Sequence, residues 1–243
     1  MANTLQGKKI AVLVADGFEQ SELLKPRQAL DEARAQTQVV SPVNGKVKGW
    51  NHTDWGDEVP VDVPLNSANP SRYDALLLPG GVMSPDTLRM NPDAMGFAKH
   101  LFDAGKPMAA ICHGPWTAVE VDAARGRTLT CWPSLKTDIR NAGGTWVDKE
   151  VVSDNGLVTN RKPDDIPAFN REMIALFGET GAASKERERK SRRPCQHPMD
   201  AGWAWFLANR CLPRLPTQVI AHFRWRPSEH PAFDVRPSTF AVP

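Results

Sequence analysis

The feature that most constrains the fold of this chain is a series of short, largely apolar runs that alternate with helical patterns. Such runs occupy residues 9–15 (KIAVLVA), 73–78 (YDALLL) and 107–111 (PMAAI). Their length and aliphatic composition predict strands that are buried on both faces. Because helical segments separate them, the sequence predicts a mostly parallel sheet between two layers of helices, which is a three-layer α/β sandwich.

The remaining segments fit the same alternating pattern. A second short strand is predicted at 37–40, and the Gly-, Asn-, Asp- and Trp-rich segment 44–63 is expected to form loops or a small hairpin. Strands at 147–152 and 157–159 flank Asn155-Gly156, a dipeptide typical of hairpin turns. The apolar spacing predicts helices at 19–35, 92–104, 113–122, 134–142 and 163–177.

Three loops of this pattern carry unusual chemistry. They follow three of the predicted strands and span residues 16–22, 79–86 and 112–115. In an open α/β sheet the binding site lies beyond the carboxyl ends of the strands. We therefore expect these three loops to meet at one edge of the sheet and to form the functional site.

Cys112 is the predicted nucleophile. It stands between an apolar run and a helix entered through Gly114-Pro115, so a tight strand-to-helix turn would push its side chain out of the backbone. The N-terminus of that helix would favour a thiolate, and Gly114 would allow the backbone to approach closely. The competing interpretation is a small buried thiol that only packs in the core.

Groups that could assist Cys112 stand in the same three loops. Glu19 and Glu22 follow the first strand, and a protonated carboxyl there could hydrogen-bond the sulfur and exchange a proton with it. The backbone amides of Gly80-Gly81 and His113 could hold an oxyanion. Each group also has a structural alternative, since the glutamates could complement a helix dipole, the glycines form a turn and the histidine make a structural hydrogen bond.

The 243 residues divide into two parts of different composition. Residues 1–180 carry a charge balance of −4 and suit one globular domain, whereas residues 181–243 carry +6 and eight of the 21 prolines. We interpret residues 181–243 as an irregular basic extension. Its KERERKSRR segment is a solvated charge run, and contact with nucleic acid is expected only through this part.

Several classes of protein are not indicated. No run approaches the roughly 20 apolar residues of a membrane span, and the segment MANTLQGKK precedes no signal-peptide core. The four cysteines form no CxxC pair, which favours a reducing cytoplasm over a disulfide scaffold. Neither metal-ligand spacing nor a phosphate-binding loop is present, so we expect no metal and no cofactor.

Longer motifs resemble the PfpI-type branch (intracellular protease I) of the ThiJ/PfpI superfamily, which includes the parkinsonism-associated deglycase. They run in order through residues 7–179 as KIAVLVADGFEQSELLKPRQAL, YDALLLPGG, KPMAAICHGPW, GRTLTCWPSLKTDIRNAGGTWVD and LVTNRKPDDIPAF. The resemblance implies a flavodoxin-like fold of the class I glutamine amidotransferase type. It also implies that Cys112 is the nucleophile, that His113 follows it, and that Glu22 hydrogen-bonds the sulfur.

The resemblance further implies an activity and partners. Family members hydrolyse peptides, or act on glyoxal- and methylglyoxal-derived adducts of proteins and nucleotides and on the free aldehydes, without a cofactor. They assemble as dimers or larger rings such as hexamers, and in the protease branch an acid from a neighbouring subunit completes a Cys-His-acid triad. Asp86 stands near that position here. The alternative is a non-enzymatic stress chaperone or a redox sensor that uses Cys112.

Overall fold

Residues 5–179, the part of the chain that the computed structural model describes, form twelve strands and six α-helices. The strands are β1 (Lys9–Leu13), β2 (Phe18–Glu19), β3 (Gln36–Ser41), β4 (Lys46–Asn51), β5 (Asp54–Pro60), β6 (Val63–Pro64), β7 (Ala75–Leu78), β8 (Met108–Ile111), β9 (Thr128–Leu129), β10 (Thr145–Trp146), β11 (Val151–Asp154) and β12 (Leu157–Asn160). The helices are α1 (Gln20–Glu32), α2 (Met83–Arg89), α3 (Pro92–Asp103), α4 (Pro115–Glu120), α5 (Lys136–Asn141) and α6 (Ile166–Gly178).

Seven of these strands form the central sheet, in the order β11-β12-β8-β7-β1-β3-β6. All neighbouring pairs are parallel except β11 and β12, which form the hairpin predicted at Asn155-Gly156. The strands β4 and β5 form a second antiparallel hairpin within the segment 44–63, which is one of the two alternatives expected there. The flavodoxin-like α/β sandwich is thus confirmed.

Helices cover both faces of the sheet, and successive residues of each strand enter opposite cores. Val12 and Leu77 pack with apolar residues of α1 and α6 on one face. Leu13 and Leu78 pack with apolar residues of the helices α2 to α5 on the other face. All four of these side chains are at most 1% exposed, which explains why the strands are continuous apolar runs rather than alternating ones.

The short helix α2 was not expected from the sequence. It begins two residues after Gly81, inside the predicted loop 79–86, and Pro85 stands in its first turn. A buried hydrogen bond of 2.9 Å from the Ala15 amide to Ser84 Oγ fixes the start of α2 against the end of β1. The helix therefore depends on a contact between residues 69 positions apart in the chain. The local pattern of apolar residues gives no sign of such a contact.

The basic extension at 181–243 and its expected contact with nucleic acid lie outside the described residues, so the domain boundary at residue 180 stays a prediction. Within residues 5–179, every helix falls short of the length and apolar character that a membrane crossing requires.

Truncation of a central strand residue should destabilise the protein far more than truncation of an exposed one. Leu77 of β7 is fully buried, and Met90 is 79% exposed. We expect Leu77→Ala to lower the free energy of unfolding by about 2–5 kcal/mol and Met90→Ala to change it by about 0.5 kcal/mol or less. Urea unfolding of both variants measures the difference, and equal losses would contradict the buried position of β7.

Candidate active site

The three predicted loops meet at the carboxyl edge of the central sheet. Each follows one of the adjacent strands β1, β7 and β8, so the strand order alone brings them together. The Glu19 amide, after β1, donates a 3.2 Å hydrogen bond to the carbonyl of Gly80, after β7. The Gly114 amide, after β8, donates to the carbonyl of Ile111 at 2.7 Å and closes the tight turn that carries Cys112.

Cys112 has the backbone conformation of a nucleophile elbow. Its φ is +59°, a left-handed conformation that costs a residue with a Cβ about 1–3 kcal/mol. Hydrogen bonds hold this conformation on both sides, since the Cys112 amide donates to the Asn160 carbonyl at 3.2 Å and the Cys112 carbonyl accepts from the Trp132 amide at 3.0 Å. The residue is 6% exposed, so little of its surface is open to solvent.

Glycines leave the space in which Cys112 and its neighbours approach one another. A Cβ added at Gly80 would collide with Glu22 Oε2 and would lie 2.8 Å from Cys112 Cβ. One added at Gly81, where φ is +78°, would lie within 3.0 Å of the backbone of residues 17–19. At Gly114 an added Cβ would collide with the backbone of β7. The predicted glycines are therefore required for packing around the sulfur.

Glu22 lies beside the Cys112 thiol and is fully buried. Burial is the main cause that raises the pKa of its carboxyl to about 8, and the charge of Glu19 raises it further. The thiol and the amides of Gly80 and Gly81 lower this pKa, but neither carboxyl oxygen has a hydrogen-bond partner at good geometry. At neutral pH Glu22 is therefore predominantly a neutral acid with a proton to donate.

Burial also raises the pKa of the Cys112 thiol, and the charge of an ionised Glu22 raises it further. The amides of Gly81 and His113 face the sulfur and lower its pKa, but burial outweighs them and opposes the predicted thiolate. Protonation of Glu22 removes the adverse charge. The thiol therefore loses its proton most easily while the neighbouring carboxyl keeps its own.

Glu19 does not share the position of Glu22. Its side chain is half-buried and accepts a 3.5 Å hydrogen bond from Ser21 Oγ. It influences Cys112 only indirectly, through the pKa of Glu22. Of the two predicted carboxyls, Glu22 is the one that can exchange a proton with the sulfur.

His113 is adjacent to Cys112 in space as well as in sequence. Its Nδ1 lies 3.2 Å from Cys112 Sγ, and its Nε2 lies 3.4 Å from Ser134 Oγ. The ring is stacked on Trp132, with centroids 6.0 Å apart, and meets Trp116 edge-on at 5.3 Å. Burial lowers the pKa of His113 to about 4, so the imidazole is neutral at pH 7 and does not supply a cation that would hold a thiolate.

Trp132 and Ser134 belong to the site although they lie outside the three loops predicted to form it. They stand in the segment Trp132-Pro133-Ser134, which follows the short strand β9. The sequence gives little indication that this segment belongs to the site, because the strand before it, β9, has only two residues and leaves no clear apolar run. An indole that is 39% exposed beside a catalytic candidate becomes recognisable only in three dimensions.

Asp86 is the predicted site residue that the fold leaves apart. It is exposed on α2, and its amide donates to the Val82 carbonyl at 3.3 Å. Among the described contacts none joins Asp86 to His113, so its action from a neighbouring subunit stays a prediction. Within residues 5–179, no three His, Cys, Asp or Glu side chains come close enough to hold a metal ion.

The fold and this geometry define a class of proteins: flavodoxin-like α/β sandwiches that carry a cysteine on a nucleophile elbow beside a buried glutamic acid. Residues 8–176 match the DJ-1/PfpI family, and the chain belongs to that family.

Similar proteins include curated relatives and solved structures. General stress protein 18 of Bacillus subtilis is 46% identical over 173 residues, and protein/nucleic acid deglycase 2 of Escherichia coli is 43% identical over 173 residues. Both matches cover 70% of this chain and 98% of the relative. A two-domain protein of Anabaena variabilis with DJ-1/ThiJ/PfpI-like and ferritin-like domains has a TM-score of 0.66 and 33% identity, over 72% of this chain and 49% of that one. DJ-1beta of Drosophila melanogaster has a TM-score of 0.64 and 25% identity, and the match covers 75% of this chain and 96% of that one.

A side chain at position 80 should disturb the site, whereas one at a matched helical glycine should not. We expect Gly80→Ala to lower the free energy of unfolding by about 1–3 kcal/mol, since its Cβ collides with Glu22. A Cβ added at Gly96 in α3 would have no neighbouring atom within 4 Å, so Gly96→Ala should stabilise the helix by up to about 1 kcal/mol. Urea unfolding and the rate of Cys112 alkylation by iodoacetamide measure both variants. An unchanged alkylation rate in Gly80→Ala would contradict the close packing.

The raised pKa of Glu22 should make stability fall as the pH rises. Between the unfolded value of 4.5 and the folded value of about 8, the folded protein holds more protons than the unfolded one, so raising the pH destabilises it. The lowered pKa of His113 acts in the opposite direction, but only below its unfolded value of 6.5.

The window from pH 6.5 to 8 therefore isolates Glu22. Over this window the wild type should lose roughly 1–2 kcal/mol more of its free energy of unfolding than Glu22→Gln, at about 1.4 kcal/mol per pH unit for one proton. Urea titrations at the two pH values make the comparison. Parallel losses in the two proteins would show that Glu22 is not a neutral acid in the fold.

Proposed function

We propose that this protein is a cofactor-free cysteine hydrolase of the deglycase type, which removes glyoxal- and methylglyoxal-derived adducts. The observation that carries the proposal is the Cys112 sulfur on a left-handed elbow beside a buried, proton-bearing Glu22. A relative at 43% identity bears the name protein/nucleic acid deglycase 2, and another at 38% identity, from Thermococcus kodakarensis, is also named a deglycase.

In the proposed reaction the Cys112 sulfur attacks the aldehyde-derived carbon of the adduct, and the thiol proton passes to the amine nitrogen of the adduct. A carbon–sulfur bond forms and the bond from that carbon to the amine nitrogen breaks. The freed amine then receives the proton of Glu22 and leaves as an ammonium ion, because burial keeps Glu22 protonated at neutral pH until this step. The amides of Gly81 and His113, which face the sulfur, hold negative charge that develops on the substrate oxygen.

The resulting hemithioacetal carries a hydrogen on the carbon bonded to sulfur. Glu22, now a carboxylate, takes this hydrogen as a proton and returns it to the neighbouring carbonyl carbon, while the hydroxyl proton of the hemithioacetal moves to the neighbouring oxygen. The product is a thioester, and no external oxidant is consumed. Water then hydrolyses the thioester: its oxygen bonds to the acyl carbon, the sulfur regains a proton, and the proton released by the 2-hydroxy acid restores Glu22. Free 2-oxoaldehydes enter by addition of the thiol across their aldehyde C=O bond, which gives the same hemithioacetal with no amine to leave, and Glu22 acts on it after losing its proton to water.

Peptide hydrolysis by the same nucleophile is the second candidate activity, because the amides that would hold the substrate oxygen suit a tetrahedral peptide intermediate equally well. We rank it below adduct removal because Cys112 is only 6% exposed and a small adduct reaches it more easily than a polypeptide segment. A third candidate is a stress protein in which Cys112 serves as an oxidation sensor, and it is supported by the relative named general stress protein 18.

We also propose a homo-oligomer in the cytoplasm. Val82 and Met83, at the start of α2, are 54% and 39% exposed, and a second copy covering them would bury apolar surface beside Asp86. Cys112 and Cys131, the two cysteines among the described residues, are free thiols, which suits a reducing compartment.

Removal of the sulfur should abolish turnover. We expect Cys112→Ser to lose methylglyoxal consumption and release of methylglyoxal-modified lysine by at least about 100-fold, because an alkoxide is far harder to form in this site than a thiolate. Cys131→Ser, at the other buried free thiol, is the matched control and should keep full activity. Full activity in Cys112→Ser would contradict the proposed mechanism.

A generic peptidase substrate in the same panel separates the two enzymatic candidates. Peptide turnover without adduct turnover would favour the peptidase. Selective formation of a sulfinate at Cys112 under mild peroxide, with no turnover of any substrate, would favour the sensor.

A further inference from the structure

We infer that Trp132 forms an aromatic subsite beside Cys112, which selects 2-oxoaldehydes and adducts that carry a planar aromatic group next to the reacting carbon. The inference rests on the proposed function, because it names a substrate class for the same sulfur. Its evidence is the position, the exposure and the surroundings of one indole, and part of its test does not require turnover.

The indole of Trp132 lies one side chain away from the sulfur. The Trp132 amide donates to the Cys112 carbonyl at 3.0 Å, which fixes the Trp132 backbone to the elbow. The Trp132 ring is stacked on His113 with ring centroids 6.0 Å apart, and His113 Nδ1 lies 3.2 Å from Cys112 Sγ. A group bonded to the sulfur therefore has to extend past a single imidazole to reach the indole.

This indole packs in neither of the two apolar cores of residues 5–179. Trp132 is 39% exposed, whereas Trp116 and Trp146 are packed against the core beneath the helices α2 to α5. The segment is anchored instead by Leu135, whose side chain is fully buried and whose amide donates to the Trp132 carbonyl at 3.0 Å. The Trp132 ring therefore keeps surface that can contact a ligand.

An exposed indole attracts a planar aromatic group more strongly than it attracts a methyl group. Aromatic pairs gain free energy in offset or edge-to-face arrangements, beyond the gain from the area that they bury. The cost of ordering the indole is small, because the side chain has only two rotatable bonds and both backbone hydrogen bonds of Trp132 hold it at the elbow. The ring is thus ready for contact before a substrate arrives.

The surroundings of the indole favour a neutral ligand. Burial lowers the pKa of His113 to about 4, so the imidazole that Trp132 contacts is uncharged at pH 7. The charged side chains of the neighbouring helices have partners of their own: Arg89 pairs with Glu120, Asp138 accepts from Trp116, and Lys136 lies 5.0 Å from the ring centroid of Trp146. An uncharged aryl group therefore suits this subsite better than a charged one.

The reacting carbon and the aromatic group of such a substrate occupy different places. In an aryl 2-oxoaldehyde the sulfur attacks the terminal aldehyde carbon, and the aromatic ring is attached to the neighbouring carbonyl carbon. The small end thus enters beside Cys112, which is 6% exposed, while the flat ring stays outside with Trp132. Methylglyoxal passes through the same steps but leaves the indole uncovered.

The test compares Trp132→Ala, Trp132→Phe and Trp55→Ala in the full chain. Trp55 is the matched control, because it is 46% exposed and packs on Trp50 within the β4–β5 hairpin. The first readout is the ratio of kcat/KM for phenylglyoxal to kcat/KM for methylglyoxal. The second readout needs no turnover. It is the ratio of the rates at which iodoacetanilide and iodoacetamide alkylate Cys112, followed by mass spectrometry and normalised to N-acetylcysteine.

Both alkylations are the same reaction at the sulfur, which displaces iodide while the thiol proton goes to water, so their ratio reports contact with the aryl group. We expect both ratios to favour the aryl compound in the wild type and to fall about tenfold in Trp132→Ala. They should stay within about twofold of the wild type in Trp132→Phe, which keeps an aromatic ring, and in Trp55→Ala.

Unchanged ratios in Trp132→Ala would overturn the inference. So would an equal slowing of both members of each pair, which is the result expected if the indole only supports His113, or an equal fall of the ratios in Trp55→Ala. The proposed function fails separately. If the wild type turns over neither 2-oxoaldehyde but Trp132→Ala still lowers the alkylation ratio, only the assigned activity is wrong. If methylglyoxal turnover is normal and neither ratio moves, only the aromatic subsite is wrong.

Discussion

The burial of the Glu22 carboxyl against the Cys112 thiol is the interaction on which the rest of the site depends. Two acidic groups share one water-poor space, and burial raises the pKa of both. Losing one proton from the pair is much easier than losing two. At neutral pH both groups are therefore protonated, and one proton can leave the pair for the substrate while the other stays. Gly80 makes this closeness attainable, because any side chain there would occupy the space of the carboxyl.

The sheet supplies the rigidity that such a pair requires. The strands β1, β7 and β8 are neighbours, and their buried residues belong to cores on both faces. The left-handed conformation of Cys112 is thereby fixed by packing on all sides rather than by its own preference. Ser84 extends this support to α2 through its hydrogen bond with the Ala15 amide, so the helix that carries Asp86 is attached directly to the end of β1.

The parts of the fold that could be predicted from the sequence are those with a local cause. Burial on both faces makes the strands apolar, the Asn155-Gly156 turn specifies a hairpin, and a cysteine between a strand and Gly114-Pro115 indicates an elbow. The helix expected from residue 113 begins instead at Pro115, because the tight turn around Cys112 occupies the preceding residues.

Features with a distant cause could not be predicted. The helix α2 depends on Ser84 reaching the end of β1, and Ser134 meets His113 across 21 positions of the chain. The protonation states also depend on three-dimensional burial, which is why the predicted thiolate is disfavoured in the folded protein. At neutral pH the thiol, the carboxyl and the imidazole of the site carry almost no formal charge, so long-range attraction contributes little to substrate capture. Encounter with an uncharged aldehyde should then be nearly insensitive to ionic strength, and substrate selection depends on what can reach a sulfur on a residue that is 6% exposed and on the donors around it.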